Sequence, residues 1–141
     1  MRLMSYSTFS ALAVVALLAS PARAETVTLK ASMNAASEVP PNDSKATGTL
    51  TATFDTGSKK LSWKGSYAGL SGPATAAHFH GPAEPGKNAP PVVTITNATP
   101  NFEGSADLTD AQAADLQAGR YYINVHSAAH APGEIRGQIT K

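Results

Sequence analysis

Apolar and polar residues alternate along most of the chain after residue 25. Residues 27–33 and 48–54 show the pattern most clearly, and Leu50, Ala52 and Phe54 share one face of the second segment opposite a row of threonines. Successive side chains of a β-strand point to opposite faces, so a period of two predicts a strand buried on one side. We therefore predict two half-buried strands in this part of the chain.

Similar but less regular patterns predict six further strands. These lie at residues 60–67, 74–80, 92–96, 102–108, 121–126 and 134–139. The sequence Asp55-Thr-Gly57-Ser58 is typical of a hairpin turn, which should pair the second and third strands antiparallel. Residues 81–91 are rich in proline and glycine and predict a structured loop beside the strand 74–80.

Only residues 109–118 show the features of a helix. Thr109 followed by Gln112 resembles a capping box, the interior is rich in alanine, and Gly119 is a typical C-terminal stop. Many short strands and one short helix predict an all-β fold, a Greek-key-like antiparallel β-sandwich of about seven to eight strands. We expect the N-terminal residues up to about Ala31 to pair at a sheet edge.

The first 24 residues have the pattern of a secretory signal peptide. Arg2 is followed by an apolar run at residues 9–18, then by Pro21 and the small-residue site Ala22-Arg-Ala24. The apolar run is about half the length that a bilayer-spanning helix needs. We therefore predict a leader at residues 1–24, a single domain at residues 25–141, a periplasmic or secreted location, and no membrane anchor after cleavage.

Composition narrows the chemistry that this domain can support. Removing Arg2 and Arg23 with the leader leaves nine basic residues against ten acidic ones, a balance that argues against nucleic acid as a partner. The chain has no cysteine, which excludes disulfides, thiolate metal sites and thiol catalysis. Only Met33 would remain after processing, so a methionine-rich site for Cu(I) is not available.

The four histidines form two short motifs. His78 and His80 should project from the same side of one strand, and His126 and His130 flank a small turn at the end of another. Neutral imidazole is the commonest metal ligand in proteins. We expect the four side chains to share one metal ion. A site of nitrogens without sulfur favours Cu(II), with Zn(II) as the alternative.

The sequence allows two interpretations of Arg136. It lies on the same side of its strand as Glu134, with which an ion pair would form. Alternatively, its guanidinium lies over the metal and guides small anions towards it, because a fixed cation near a metal attracts anionic substrates.

Several segments resemble the CHRD domain family, which is named for the repeats of the animal protein chordin and also occurs as single exported bacterial domains. They are Gly69-Leu-Ser-Gly72, Ala77-His-Phe-His-Gly-Pro82, Leu116-Gln-Ala-Gly119 and Tyr122-Ile-Asn-Val-His-Ser-Ala-Ala-His130 followed by Gly133-Glu-Ile-Arg-Gly-Gln138. The resemblance implies an all-β domain and includes the histidines in the family pattern. Its implications for biochemical function are weaker, because the family's role is poorly defined.

A fainter similarity links the chain to copper/zinc superoxide dismutases. That similarity implies copper ligands at His78, His80 and one or both of His126 and His130, with Arg136 as the anion guide. The chain lacks the cysteine pair, the zinc loop and the bridging histidine of those enzymes.

Three functions remain open at this point. The first is an exported copper-binding domain that buffers the metal or protects against it. The second is a copper-only oxidoreductase similar to superoxide dismutase. The third is a metal-independent adhesion or ligand-binding module, whose protein partner the sequence does not identify.

Overall fold

The computed structural model describes residues 23–141. Their elements, in chain order, are β1 (Thr26–Asn34), a 3-10 turn (Ala35–Ser37), β2 (Thr47–Asp55), β3 (Lys60–Ala68), β4 (Ala74–His80), β5 (Pro91–Thr94), β6 (Asn101–Asp107), α1 (Asp110–Gln117), β7 (Tyr122–Ser127) and β8 (Ile135–Gln138). Of the predicted leader, residues 1–22 lie outside the described part. No helix within residues 23–141 has the length and apolar character of a membrane span.

All eight strands belong to one antiparallel sheet in the order β5-β4-β7-β8-β1-β2-β3-β6. For residues 23–141, the all-β class, the eight antiparallel strands and the single short helix are thus confirmed. The sheet is rolled and nearly closed, because Trp63 of β3 packs edge-on against Phe79 of β4 with 4.9 Å between the ring centroids. Opposing parts of one sheet therefore face each other like the two layers of a sandwich.

The structure contains the hairpin turn and the helix cap that the sequence predicts. The Asp55 carboxylate accepts hydrogen bonds from the backbone of Gly57 and Ser58, which closes the hairpin between β2 and β3. Thr109 and Gln112 form the capping box at the start of α1, and the chain turns after the helix at Gly119, where φ is +74°.

The position of β1 corrects one expectation. β1 pairs with β2 along its full length and also contacts β8, so it is an interior strand of the sheet and not an edge. The edges are β5 and β6. Burial in β1 alternates as the sequence predicts, with Leu29 and Met33 in the core. Alternation identifies the buried face of a strand but not its neighbours.

Candidate metal centre

The three neighbouring strands β4, β7 and β8 carry a polar row on the side that faces away from the core. Phe79 and Val125, on the opposite side of their strands, are fully buried in the apolar interior. Strand alternation therefore places the even-numbered residues of this region together on the outer face. They are His78, His80, Tyr122, Asn124, His126 and Arg136.

Three of the histidines converge on this face. His78 and His80 are two residues apart on β4, and the register places His126 of β7 diagonally across from His78. One nitrogen from each ring lies within 4.8 Å of one nitrogen from each of the others. The closest pair is His78 Nδ1 and His126 Nε2, at 3.2 Å.

Backbone carbonyls determine which ring nitrogens are free. His80 Nδ1 lies 2.9 Å from the carbonyl oxygen of Ala89, and His126 Nδ1 lies 2.9 Å from that of Ala131. A carbonyl can only accept, so each Nδ1 carries the hydrogen and, in a neutral ring, each Nε2 has a free lone pair. Metal-binding histidines are commonly oriented by such a bond from the second ring nitrogen.

The contact between His78 and His126 has a defined direction for the same reason. Because His126 Nε2 is the acceptor when that ring is neutral, His78 Nδ1 donates the hydrogen across the 3.2 Å gap. Both nitrogens could instead bind one metal ion if the hydrogen of His78 moves from Nδ1 to Nε2, which is a change of tautomer in a neutral ring.

Burial keeps two of the rings in the neutral form that metals require. Desolvation lowers the pKa of His78, and the neighbouring His126 and His80 lower it further. Desolvation also lowers the pKa of His80, although its hydrogen bond to Ala89 acts in the opposite direction. These two imidazoles therefore remain unprotonated at neutral pH.

The donor set fits a borderline divalent metal ion. His80 Nε2 is buried and has no hydrogen-bond partner among the described residues, an unfavourable state that a bound ion would relieve. Two nitrogens bound at about 2.1 Å to one metal ion are at most about 4.2 Å apart, so nitrogens that lie within 4.8 Å of one another must move closer together to share an ion.

Sequence comparison covers nearly all of the described chain. A family model described as the CHRD domain matches residues 29–139, which include the three converging histidines. The chain belongs to the CHRD domain family. The search of curated proteins and the search of solved structures returned no match.

His130 lies outside the histidine cluster of this CHRD domain. The group whose nitrogens lie within 4.8 Å of one another comprises His78, His80 and His126. After Ser127 the chain leaves β7 in a turn, which is closed by a hydrogen bond from His130 N to the carbonyl of Ser127. The turn interrupts the alternation that would have kept His130 on the face of His126, so the structure brings together three of the four predicted ligands.

Arg136 is also placed differently from the ion pair considered in the sequence. Its side chain is 2 % exposed, and its two terminal nitrogens donate to Asn88 Oδ1 at 3.0 Å and to the carbonyl of Lys87 at 2.6 Å. None of the ion pairs within residues 23–141 joins Arg136 to Glu134. Its guanidinium holds the loop that follows β4.

Tyr122 lies between this guanidinium and the histidines. The His80 ring stacks on the Tyr122 ring at 4.7 Å with an interplanar angle of 4°, and the Arg136 Cζ atom lies 3.4 Å from the Tyr122 centroid. Because β4 and β8 flank β7 on opposite sides, we place His80 and Arg136 on opposite faces of the ring. Arg136 is thus one aromatic ring away from the cluster.

Several residues around the cluster were not found from the sequence. Tyr122 and Asn124 share the face of His126, and alternation along β7 would have been enough to place them there. Ala89 and Ala131 contribute only backbone carbonyls, for which residue type gives no signal. Glu38 approaches from the distant segment after β1, and burial raises its pKa to about 7 although Arg136 lowers it.

Proposed function

We propose that this CHRD domain binds one divalent metal ion through His78, His80 and His126, and that it buffers copper in an exported compartment. The observation that carries the proposal is the convergence of three ring nitrogens, two of them freed by backbone carbonyls that hold the opposite nitrogen of the ring. The predicted leader supports the exported location. Sequence and geometry together favour a metal site over surface histidines that lie close together by chance.

Copper is proposed ahead of zinc for chemical reasons. The chain has no cysteine, so the site offers imidazole nitrogens without thiolate. Such a site binds Cu(II) more tightly than Zn(II), according to the Irving–Williams order. Three histidines also form common zinc sites, so Zn(II) is the competitor that an experiment must include.

A copper-dependent oxidoreductase acting on superoxide is the second proposal. It is favoured by the partial exposure of His78 and His126, which makes the cluster accessible to a small molecule. The buried Arg136, with its terminal nitrogens directed towards loop residues, gives less support to an anion guide. Buffering is therefore the first proposal.

Titration of the purified metal-free protein with Cu(II), followed by d–d absorption and electron paramagnetic resonance, tests the binding. We expect one equivalent to bind with a nitrogen-rich spectrum. His126→Ala should weaken binding by about 100-fold or more, since even residues outside the first shell contribute 10- to 100-fold. His130→Ala is the matched control and should change the affinity less than about twofold.

Three results separate the alternatives. If the wild-type protein binds no Cu(II) or Zn(II), the metal proposal fails and a metal-independent binding module is favoured. If His130→Ala weakens binding as much as His126→Ala, the three-histidine assignment is wrong. Superoxide dismutation by the copper-loaded protein would favour the enzyme over the buffer.

A further inference from the structure

Asn124 lies in the middle of the three histidines. The strand register places Asn124 directly opposite His78. On β7 it lies between Tyr122 and His126 on the same face, because the three are alternate residues of the strand. Its side chain is 2 % exposed. Asn124 is therefore a buried residue that borders the histidine cluster.

The oxygen of the Asn124 side chain has no hydrogen-bond partner within residues 23–141. Asn124 Oδ1 is buried and unpaired among the described residues, and so is the nearby His80 Nε2. An amide oxygen is an acceptor, and so is Nε2 of a neutral imidazole ring whose Nδ1 donates to a carbonyl, as in His80, so neither atom can satisfy the other. Two buried acceptors side by side require a shared donor or a shared cation.

The surroundings of Asn124 determine which end of the amide faces the histidines. The carboxyl group of Glu38, itself 4 % exposed, lies beside Asn124. Gly133 packs against both, since a Cβ atom there would lie 2.7 Å from Glu38 Cδ and 2.8 Å from Asn124 Nδ2. The amide nitrogen thus faces Glu38, which leaves the oxygen for the cluster.

We infer that Asn124 Oδ1 is the fourth ligand of the metal ion, which makes the site one of three nitrogens and one oxygen. This inference rests on the proposed function, because it assumes that the histidines bind an ion. Mixed nitrogen and oxygen donors are typical of Cu(II) sites, and Zn(II) also takes oxygen ligands beside imidazoles. Glu38 orients the ligand from outside the first shell, as carboxylates commonly do in metal sites.

Electron paramagnetic resonance and competition titration with Cu(II) on two variants test this assignment. Asn124→Leu removes the oxygen at nearly constant volume, and we expect affinity to fall by about tenfold or more with altered g and copper hyperfine values. Asn124→Asp keeps an oxygen donor, and we expect its affinity to equal or exceed that of the wild type. Thermal unfolding of both variants checks that the fold is intact.

The wild-type protein provides a second readout that needs no variant. On addition of Zn(II), which is diamagnetic, the side-chain carbonyl 13C signal of Asn124 should shift downfield, while that of Asn42, which hydrogen-bonds the backbone of Gly133 and Glu134, should move much less. No shift at Asn124 would overturn the inference even if Asn124→Leu does not fold.

The possible failures are distinguishable. If the wild type binds copper and His126→Ala abolishes binding, but Asn124→Leu leaves affinity within twofold and the spectrum unchanged, the fourth-ligand inference is wrong. A water molecule between Asn124 and His80 then explains the unpaired atoms. If the wild type binds neither metal, the proposed function fails together with this inference.

Discussion

Two backbone carbonyl oxygens determine which nitrogen of His80 and of His126 is free to bind a metal ion. The carbonyls of Ala89 and Ala131 hold the Nδ1 atoms of His80 and His126, so the Nε2 atoms become the available donors. Neither contact depends on the side chain of the residue that provides the carbonyl. The path of the chain therefore determines which nitrogens are available to a metal ion.

Gly133 is a residue whose replacement should disturb this face directly. Its φ of +137° disfavours any side chain, and a Cβ atom would collide with the carboxyl group of Glu38. We expect Gly133→Ala to lower the free energy of unfolding by about 1–3 kcal/mol in urea denaturation. Gly72→Ala is the matched control, because a Cβ at Gly72 would meet nothing within 4 Å, and its effect should stay within about 0.5 kcal/mol. Equal effects of the two substitutions would contradict this interpretation.

The loop of residues 81–90 is the element that completes the site. It provides the carbonyl of Ala89 to both His80 and the hydroxyl of Tyr122, and it is fixed from the opposite side by Arg136 through Asn88 and Lys87. The loop has no ladder of its own, so these contacts hold it in place together with hydrogen bonds of Ala83 to Arg120 and Gln138 and of Asn88 to Val39. A change in the loop should reach the metal through the orientation of His80.

Asn88→Ala should weaken Cu(II) binding by about tenfold, because it removes a side-chain contact that positions the loop. Lys87→Ala is the matched control, since only the carbonyl of Lys87 accepts from Arg136. We expect its affinity to remain close to that of the wild type. Competition titration measures both, and an Asn88→Ala variant with unchanged affinity would show that the loop does not position His80.

Glu134 connects three elements that are distant in the sequence. Its carboxylate accepts hydrogen bonds from Ser44 before β2, Ser71 between β3 and β4, and Ser127 at the end of β7. Burial alone would raise the pKa of Glu134, but these hydrogen bonds outweigh it and lower the pKa to about 2. The ionised carboxylate therefore stabilises the junction of the three segments.

The pH dependence of stability follows from this shift. The pKa of Glu134 is lower in the folded than in the unfolded chain, so its contribution is present above pH 4.5 and is lost as pH falls towards 2. We expect Glu134→Gln to lower the free energy of unfolding by about 3 kcal/mol at pH 7. The deficit should shrink at pH 3 in urea denaturation. Glu84→Gln, at an exposed position, should show no such trend, and a deficit that does not depend on pH would contradict the assignment.

Local periodicity predicted the elements well and the site in part. The strands, the helix and the shared face of His78 and His80 follow from alternation and capping, which are properties of neighbouring residues. The interior position of β1 depends on pairing between distant segments. The position of His130 outside the histidine cluster depends on the geometry of one turn, and the role that we infer for Asn124 depends on which strand lies beside β4. None of these has a local signal.

At the scale of the whole molecule, one rolled sheet carries the polar face of β4, β7 and β8 on its outer side and the apolar core on its inner side. Phe79 lies between His78 and His80 in sequence but points into the interior, where it meets Trp63 from the other side of the sheet. The same strand therefore packs the core with one side and presents two of the proposed ligands with the other. Stability of the core and geometry of the site are expected to change together.

Replacement of Phe79 tests its contribution to the stability of the core. Phe79→Ala should lower the free energy of unfolding by about 3–5 kcal/mol, because it leaves a cavity against Trp63. Trp63 is the only tryptophan, so its fluorescence follows unfolding in urea without ambiguity. The partly exposed Leu70 provides the control, and Leu70→Ala should cost clearly less. A similar loss for both would mean that the contact between Phe79 and Trp63 does not hold the rolled sheet closed.

Anomalous diffraction at the copper edge, from crystals of the Cu(II)-loaded protein, tests the metal centre most directly. We expect one peak about 2 Å from His78 Nδ1, His80 Nε2 and His126 Nε2, with no copper at His130. A peak at His130 alone, or no peak near the three converging histidines at full loading, would contradict the proposed centre.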